Sequence, residues 1–193
     1  MEIFGFSAPM PKVTISNKQA FVLINERVEE HPVMGADGEP TDETVKDYVY
    51  DGVKLYNILS MNDVLPRLRE YAVAKISAFD NSPKVNSFTI NGKTLWLDKD
   101  TRLALRQRFA AEKAAGITST TLWYKTFKFS LSVDTALDML NAIEIYACKC
   151  YDITAAHKAA VQAMTNFEDI LCFDFKVGYP DKLSFTTTEE CCI

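Results

Sequence analysis

Hydrophobic positions along this 193-residue chain change period several times, and the changes outline its elements. Lys12-Val-Thr-Ile-Ser16 and Ala20-Phe-Val-Leu-Ile24 are rich in β-branched and aromatic residues, which fit a pleated, half-buried surface. Gly35-Ala36-Asp37-Gly38 then marks a turn, and Tyr48-Val-Tyr-Asp-Gly-Val-Lys-Leu-Tyr56 reads as a returning strand. Together they predict a β-hairpin or small sheet with an acidic connecting loop, too small to hold a core by itself.

From Asp63 to Phe79 the period becomes helical, with Val64, Leu65, Leu68, Ala72, Ile76 and Phe79 on the repeat. Asp63 is placed to cap this helix and Pro66 to fall in its first turn, where a missing N–H costs little. Asp80-Asn-Ser-Pro83 stops it and marks a boundary. Phe88-Thr-Ile-Asn-Gly-Lys-Thr-Leu-Trp-Leu97 predicts a tight hairpin, because a type I′ turn needs positive φ at both Asn91 and Gly92. Asp98 or Asp100 opens a helix to Ala115, with Gly116 as its left-handed end.

Thr121 to Leu131 predicts one strand, with Trp123, Lys125, Phe127, Phe129 and Leu131 on one side. Ser132 opens a helix to about Tyr151, Asp152 or Thr154 a further helix to Met164, and Thr165 or Asn166 a short turn. Phe173-Asp-Phe-Lys-Val-Gly-Tyr-Pro180 closes the fold. The predicted class is α+β: a β-rich N-terminal hairpin region (1–59), a connecting helix and linker (60–82), a domain of a β-hairpin plus three helices with additional strands (83–185), and a flexible tail (186–193).

Composition changes this picture little. Hydrophobic residues at 48% and charged residues at 24% exclude disorder along most of the chain. No apolar run approaches the roughly 20 residues of a membrane helix. Met1-Glu2-Ile3-Phe4-Gly5 lacks the basic patch and apolar core of a signal peptide. Five cysteines are an odd set: Cys148 and Cys150 diverge on a helix, Cys172 stands alone, and Cys191-Cys192 lie in the tail. With only His31 and His157 beside them, they predict reduced thiols and no metal.

Charge changes it more. Residues 26–51 hold nine acids (Glu26, Glu29, Glu30, Asp37, Glu39, Asp42, Glu43, Asp47, Asp51) against Arg27 and Lys46. That net −7 leaves +2 for the rest of a chain whose total is −5. Sequence-independent DNA binding depends on many phosphate-neutralising cations, so this balance argues against nucleic acid. The stretch reads as a solvated loop or as a docking surface for something basic. The basic counterpart is the helix carrying Arg102, Arg106, Arg108 and Lys113 beside Lys99, which also has two apolar seams: Leu103, Ala110 and Ala114 on one, Leu105 and Phe109 nearly opposite.

Candidate chemistry is sparse. GxSxG, a phosphate-cradling GxxxxGK[ST], GxGxxG after a strand and HExxH are all missing, and the reading assigns no catalytic residue, no cofactor and no small-molecule substrate. Glu144 is the one acid on a wide apolar arc, with Leu137, Leu140, Ala147, Cys148 and Tyr151 on its side of the helix. It reads as a desolvated acid, the feature a small hydrolase would use, as a glutamate at a helix edge, or as a carboxylate paired with an arginine of the preceding helix. His157 reads as a hydrogen-bonded core histidine, and His31 has no recognisable role.

The strings FTINGKTLWLDKDTR, LRQRFAAEKAAG, LSVDTALDMLNAIEIYACKCYD and ITAAHKAAVQAMTNFEDI, closed by Phe173-Asp-Phe-Lys-Val-Gly-Tyr-Pro-Asp-Lys-Leu-Ser-Phe185, resemble a domain of unknown function from tailed-bacteriophage tail, tail-fibre and fibre-assembly proteins. The style is similar to virion proteins of crAss-like phages of gut bacteria, whose short tails are built of stacked rings. The resemblance covers about half the chain, Phe88 to Phe185. It implies a non-enzymatic structural component of the virion, at the tail or neck, or else a tail-fibre assembly chaperone absent from the mature particle. The implied partners are copies of the chain and other virion proteins, with no membrane and no sequence-specific nucleic acid. Joined to the charge pattern, it predicts that an acidic surface (Glu29, Glu30, Asp37, Glu39, Asp42, Glu43) of one copy meets the basic helix (Arg102, Arg106, Arg108, Lys113) of the next in a head-to-tail ring.

Overall fold

A computed structural model describes residues 1–36 and 38–191, the last four as backbone alone. The class is α+β, with strands dominating the N-terminal part and helices the C-terminal part. The chain divides into two units, each made of two stretches: residues 1–75 with 159–174, and 76–158 with 175–193. The division expected from the sequence is consecutive and places its boundary at Asp80–Pro83. The observed one falls inside two helices, where no local breaker marks it.

The first unit is built on one antiparallel sheet of β1 (Glu2–Phe6), β2 (Val13–Ser16), β3 (Gln19–Met34) and β4 (Pro40–Tyr56), in the order β1-β4-β3-β2. Ala20, Val22, Leu23 and Ile24 on β3 and Tyr50, Val53 and Leu55 on β4 are buried, as are Ile58, Val64, Leu68, Val161 and Ile170. Phe4 and Phe6 meet Phe21 edge-on at 5.4 and 6.5 Å, an arrangement that aromatic quadrupoles favour. At Gly52 the strands close up: a Cβ there would sit 2.4 Å from the carbonyl oxygen of Val22, so only glycine fits.

Helix α1 (Met61–Asp80) begins at Met61, not at Asp63 as the sequence predicts. Asp63 reaches back over the helix start: its Oδ2 accepts from the N–H of Ser60 at 2.8 Å and of Leu59 at 3.0 Å, and from the Ser60 hydroxyl at 3.1 Å. Pro66 accordingly sits one turn further in than expected. In the same unit, Arg69 donates from Nε (3.0 Å) and Nη2 (2.6 Å) to the carbonyl of Met164, beyond the last turn of the long third helix.

The second unit starts from the predicted hairpin, β5 (Phe88–Ile90) and β6 (Lys93–Leu95), where Asn91 and Gly92 both have positive φ as a two-residue turn requires. Helix α2 (Lys99–Ala114) is capped by Asp98, which accepts from Thr101 N at 2.8 Å, and Gly116 follows with φ +77°. The single strand expected over 121–131 is two, β7 (Ser119–Tyr124) and β8 (Phe127–Ser132), joined at Lys125 with φ +53°. The turn resets the alternation, so Trp123 is exposed while Phe129 is buried.

Helix α3 (Val133–Ala163) is continuous where two helices are expected. Nothing between 133 and 163 is Gly or Pro, and Thr154 caps no helix; its buried hydroxyl bonds Asp80 Oδ1 at 3.0 Å and Tyr179 Oη at 2.8 Å. Ser132 caps α3 through Thr135 N, and Asn166 caps the short α4 (Phe167–Cys172). Two further strands complete the unit: β9 (Ser184–Phe185) pairs parallel to β5, and β10 (Thr188–Cys191) pairs antiparallel to β8 where the sequence predicts a tail. The core gathers Phe88, Ile90, Leu95, Phe109, Leu122, Phe129, Met139 and Ile143. Cys192 lies outside the described residues; of the other thiols, Cys148 and Cys172 are exposed and Cys150 is buried, which pushes its thiol up.

Candidate functional site

The acidic stretch read as a loop is a β-ribbon. Strands β3 and β4 pair from Gln19↔Tyr56 to Ile24↔Asp51 and, past a bulge, from Arg27↔Val49 out to Pro32↔Thr44, then close through Met34↔Pro40. Their outer neighbours stop early, β2 at Val22 and β1 at Tyr48. Residues 29–47 therefore form a two-stranded arm, free along both edges and exposed on both faces over most of its length. Strand formation wins over the loop because Val28, Val33, Thr41, Thr44 and Val45 are β-branched and each charged side chain keeps access to water.

The junction between sheet and arm is a bulge after Ile24, where Asn25 takes φ +53°, a conformation its short polar side chain tolerates. Asn25 Nδ2 donates to Asp51 at 3.1 Å, and Arg27 grips the same carboxylate with two bonds of 3.1 and 3.2 Å. Hydrogen bonds from Arg27 first, then Asn25, hold the Asp51 carboxyl below its usual range, and Asp51 raises the guanidinium in return.

Register sorts the remaining charges onto two faces. Val28, Glu30 and Pro32 face Tyr48, Lys46 and Thr44, and on that face Lys46 Nζ pairs with Glu30 at 3.0 Å. The opposite face carries Arg27, Glu29 and His31 against Val49, Asp47 and Val45. Glu29 stands directly across from Asp47, two like charges in cross-strand register, an arrangement that destabilises a sheet. His31 Nε2 lies 3.8 Å from Glu29 and 3.9 Å from Asp47, outside hydrogen-bond reach, and Arg27 is committed to Asp51.

Of the other acidic positions predicted as interface, Glu39, Asp42 and Glu43 are exposed near the arm's far end, and Asp37 lies outside the described residues. The basic helix is a less uniform surface than its sequence suggests. Arg102 is only 8% exposed; it donates from Nε to Glu144 Oε2 and from Nη1 to the Leu97 carbonyl, both at 2.7 Å, beside the Trp96 ring. That burial removes it from any docking face. Arg108 pairs with Glu112 and Lys113 with Asp134, both at 2.8 Å, which leaves Arg106 as an exposed cation. The two seams do part as read: Phe109 is buried in the core while Leu103, Ala110 and Ala114 face solvent.

Glu144 resolves to the arginine-paired alternative, with a side chain 41% exposed. A cavity of about 380 Å³ opens beside the pair, lined by Lys99, Ala147, Cys148, Tyr151 and Asp152 together with the pair itself. His157 is hydrogen-bonded through Nε2 to the Val177 carbonyl and stacks near Tyr179. Among the described residues no group of three His, Cys, Asp or Glu side chains is arranged to hold a metal, and no helix is long and apolar enough to cross a membrane. Compared with known proteins, the chain matches no family model, no curated protein and no solved structure.

Proposed function

We propose that the chain is a non-enzymatic structural component of a bacteriophage virion, at the tail or neck, and that it works by protein–protein contact through its β-arm. The observation that carries this is the ribbon of residues 29–47, paired strand to strand yet exposed on both faces and both edges. A two-stranded hairpin in water is marginal at best, so an arm of this length gains most from a surface that receives it. Its seven acids against one lysine guard the open edges from pairing with other copies of the same arm. The Arg102–Glu144 pair supports the same reading, since the acid weighed for a small hydrolase is engaged by a buried guanidinium. The resemblance of residues 88–185 to a tailed-phage domain supplies the setting.

The test is quantitative mass spectrometry of purified particles. A fixed copy number per virion is expected. Presence in infected cells but absence from particles makes the chain an assembly chaperone instead, and turnover of a small molecule by the isolated monomer overturns the reading.

A further inference from the structure

Glu29 and Asp47 oppose each other on a solvent-facing surface whose basic neighbours are His31, 3.8 and 3.9 Å from them, and Arg27, which is bound to Asp51, while the other face of the same arm is balanced by Glu30–Lys46. The cost of that opposition stays in the free chain, and a cation placed between the two carboxylates would remove it. Exposed Val45 lies beside them, 49% accessible, and supplies an apolar contact next to the charge. We infer that this face receives a lysine or arginine side chain from a different, basic protein, with Glu29 and Asp47 as paired acceptors. The inference rests on the reading of the arm as a contact element.

The occupant is a different protein because this chain has little to offer itself. Its net charge is −5, with −6 on residues 25–47, so the remainder is only +1. Arg102 is buried, and Arg108 and Lys113 are paired within their own chain. A nucleic acid fails on the same sign of charge. Close charge pairs across an interface couple strongly, and two carboxylates in register offer the partner both affinity and alignment.

The probe is a synthetic nonapeptide alternating arginine with valine, titrated into the isotope-labelled full chain and followed by amide NMR. Shifts are expected on residues 27–31 and 45–49. The double variant Glu29→Gln/Asp47→Asn is expected to bind about tenfold more weakly or worse. Glu30→Gln, on the balanced face, is expected to change affinity by less than about twofold. In the free state the double variant melts no lower than the parent, because a repulsion has been removed; a lower melting temperature makes these residues structural and overturns the inference. So do equal losses in Glu30→Gln, a double variant that binds as the parent does, or shifts confined to other regions. Concentration-dependent self-association lost in the double variant overturns the choice of occupant. Particles that hold the chain at fixed copy number, yet incorporate the double variant normally, keep the structural role and remove this one.

Discussion

Strands β3 and β4 are two structures in one ladder. Between Gln19 and Ile24, and between Tyr50 and Tyr56, they carry Val22, Leu23, Tyr50 and Val53 into a core. Past Asn25 the same hydrogen bonding continues, but Val28 and Val45 are each 49% accessible. The base also has β1 and β2 on its outer edges and the arm has neither, so neighbours and burial together separate the two halves. A ladder becomes stable where its side chains leave water, and becomes available for recognition where they do not. The contrast predicts that equivalent truncations differ severalfold in cost along one strand.

The largest effect belongs to the base. Leu23→Ala removes a side chain that is 1% exposed, and is expected to lower stability by about 2–5 kcal/mol in denaturant unfolding. Val45→Ala in the arm is expected to cost less than about 0.5 kcal/mol. Equal losses would mean that the arm is packed against something and would erase the contrast. Gly52→Ala comes next. Its Cβ would meet the Val22 carbonyl oxygen at 2.4 Å, and backbone cannot move aside as a side chain can, so a loss of about 1–3 kcal/mol is expected. An unchanged midpoint would show that the strands part there without cost.

The base was legible in the sequence and the arm was not, for a physical reason. Ala20 to Ile24 and Tyr48 to Tyr56 announce strands because their apolar residues are dense. In 26–47 the apolar positions are sparse and the charges fall on both faces, so hydropathy gives no period to read. The signal that was there is the recurrence of Val and Thr at 28, 33, 41, 44 and 45 among the acids. The opposition of Glu29 to Asp47 could not be read at all, because it depends on a register shifted by the bulge at Asn25. Local turn and cap chemistry was more transparent: Asn91-Gly92, Gly116 and Ser132 act as their residue types dictate. Burial of Arg102 was hidden by the rule that arginines face water, and the pairing of Glu144 with an arginine was one of three readings left open. The continuous α3 was lost to Asp152 and Thr154, good capping residues that the fold uses or leaves otherwise.

The junction allows the two regions to be separated by pH. Asp51 is held below the ordinary carboxylate range by Arg27 and Asn25, so its contribution is complete above the unfolded value and is lost as pH falls through the lowered folded one. Arm order should therefore hold from neutrality down to about pH 4 and loosen below it. Cross-strand amide NMR signals of Val28 and Tyr48 report the loosening, while those of Val22 and Val53 at the base should persist longer. Asp51→Asn is expected to flatten the dependence. Arm and base signals fading together would place the acid-sensitive link elsewhere.

The smallest effect on the fold should come from the largest deletion. Val28 and Tyr48 already face each other, so replacing residues 29–47 by Asn-Gly joins them through a two-residue turn of the kind that strand twist favours. The cut leaves all of β1 paired to β4, because Phe6↔Tyr48 is the outermost of those pairs. It retains the Arg27–Asp51 clamp and removes no side chain from the core. The shortened chain is expected to melt within about 3 °C of the parent, since surface changes of this kind stay well below 1 kcal/mol. It should also lose all affinity for the arginine–valine peptide. A fall of more than about 10 °C would mean that the arm holds the sheet together, and the division between a folding half and a recognition half of one ladder would not stand.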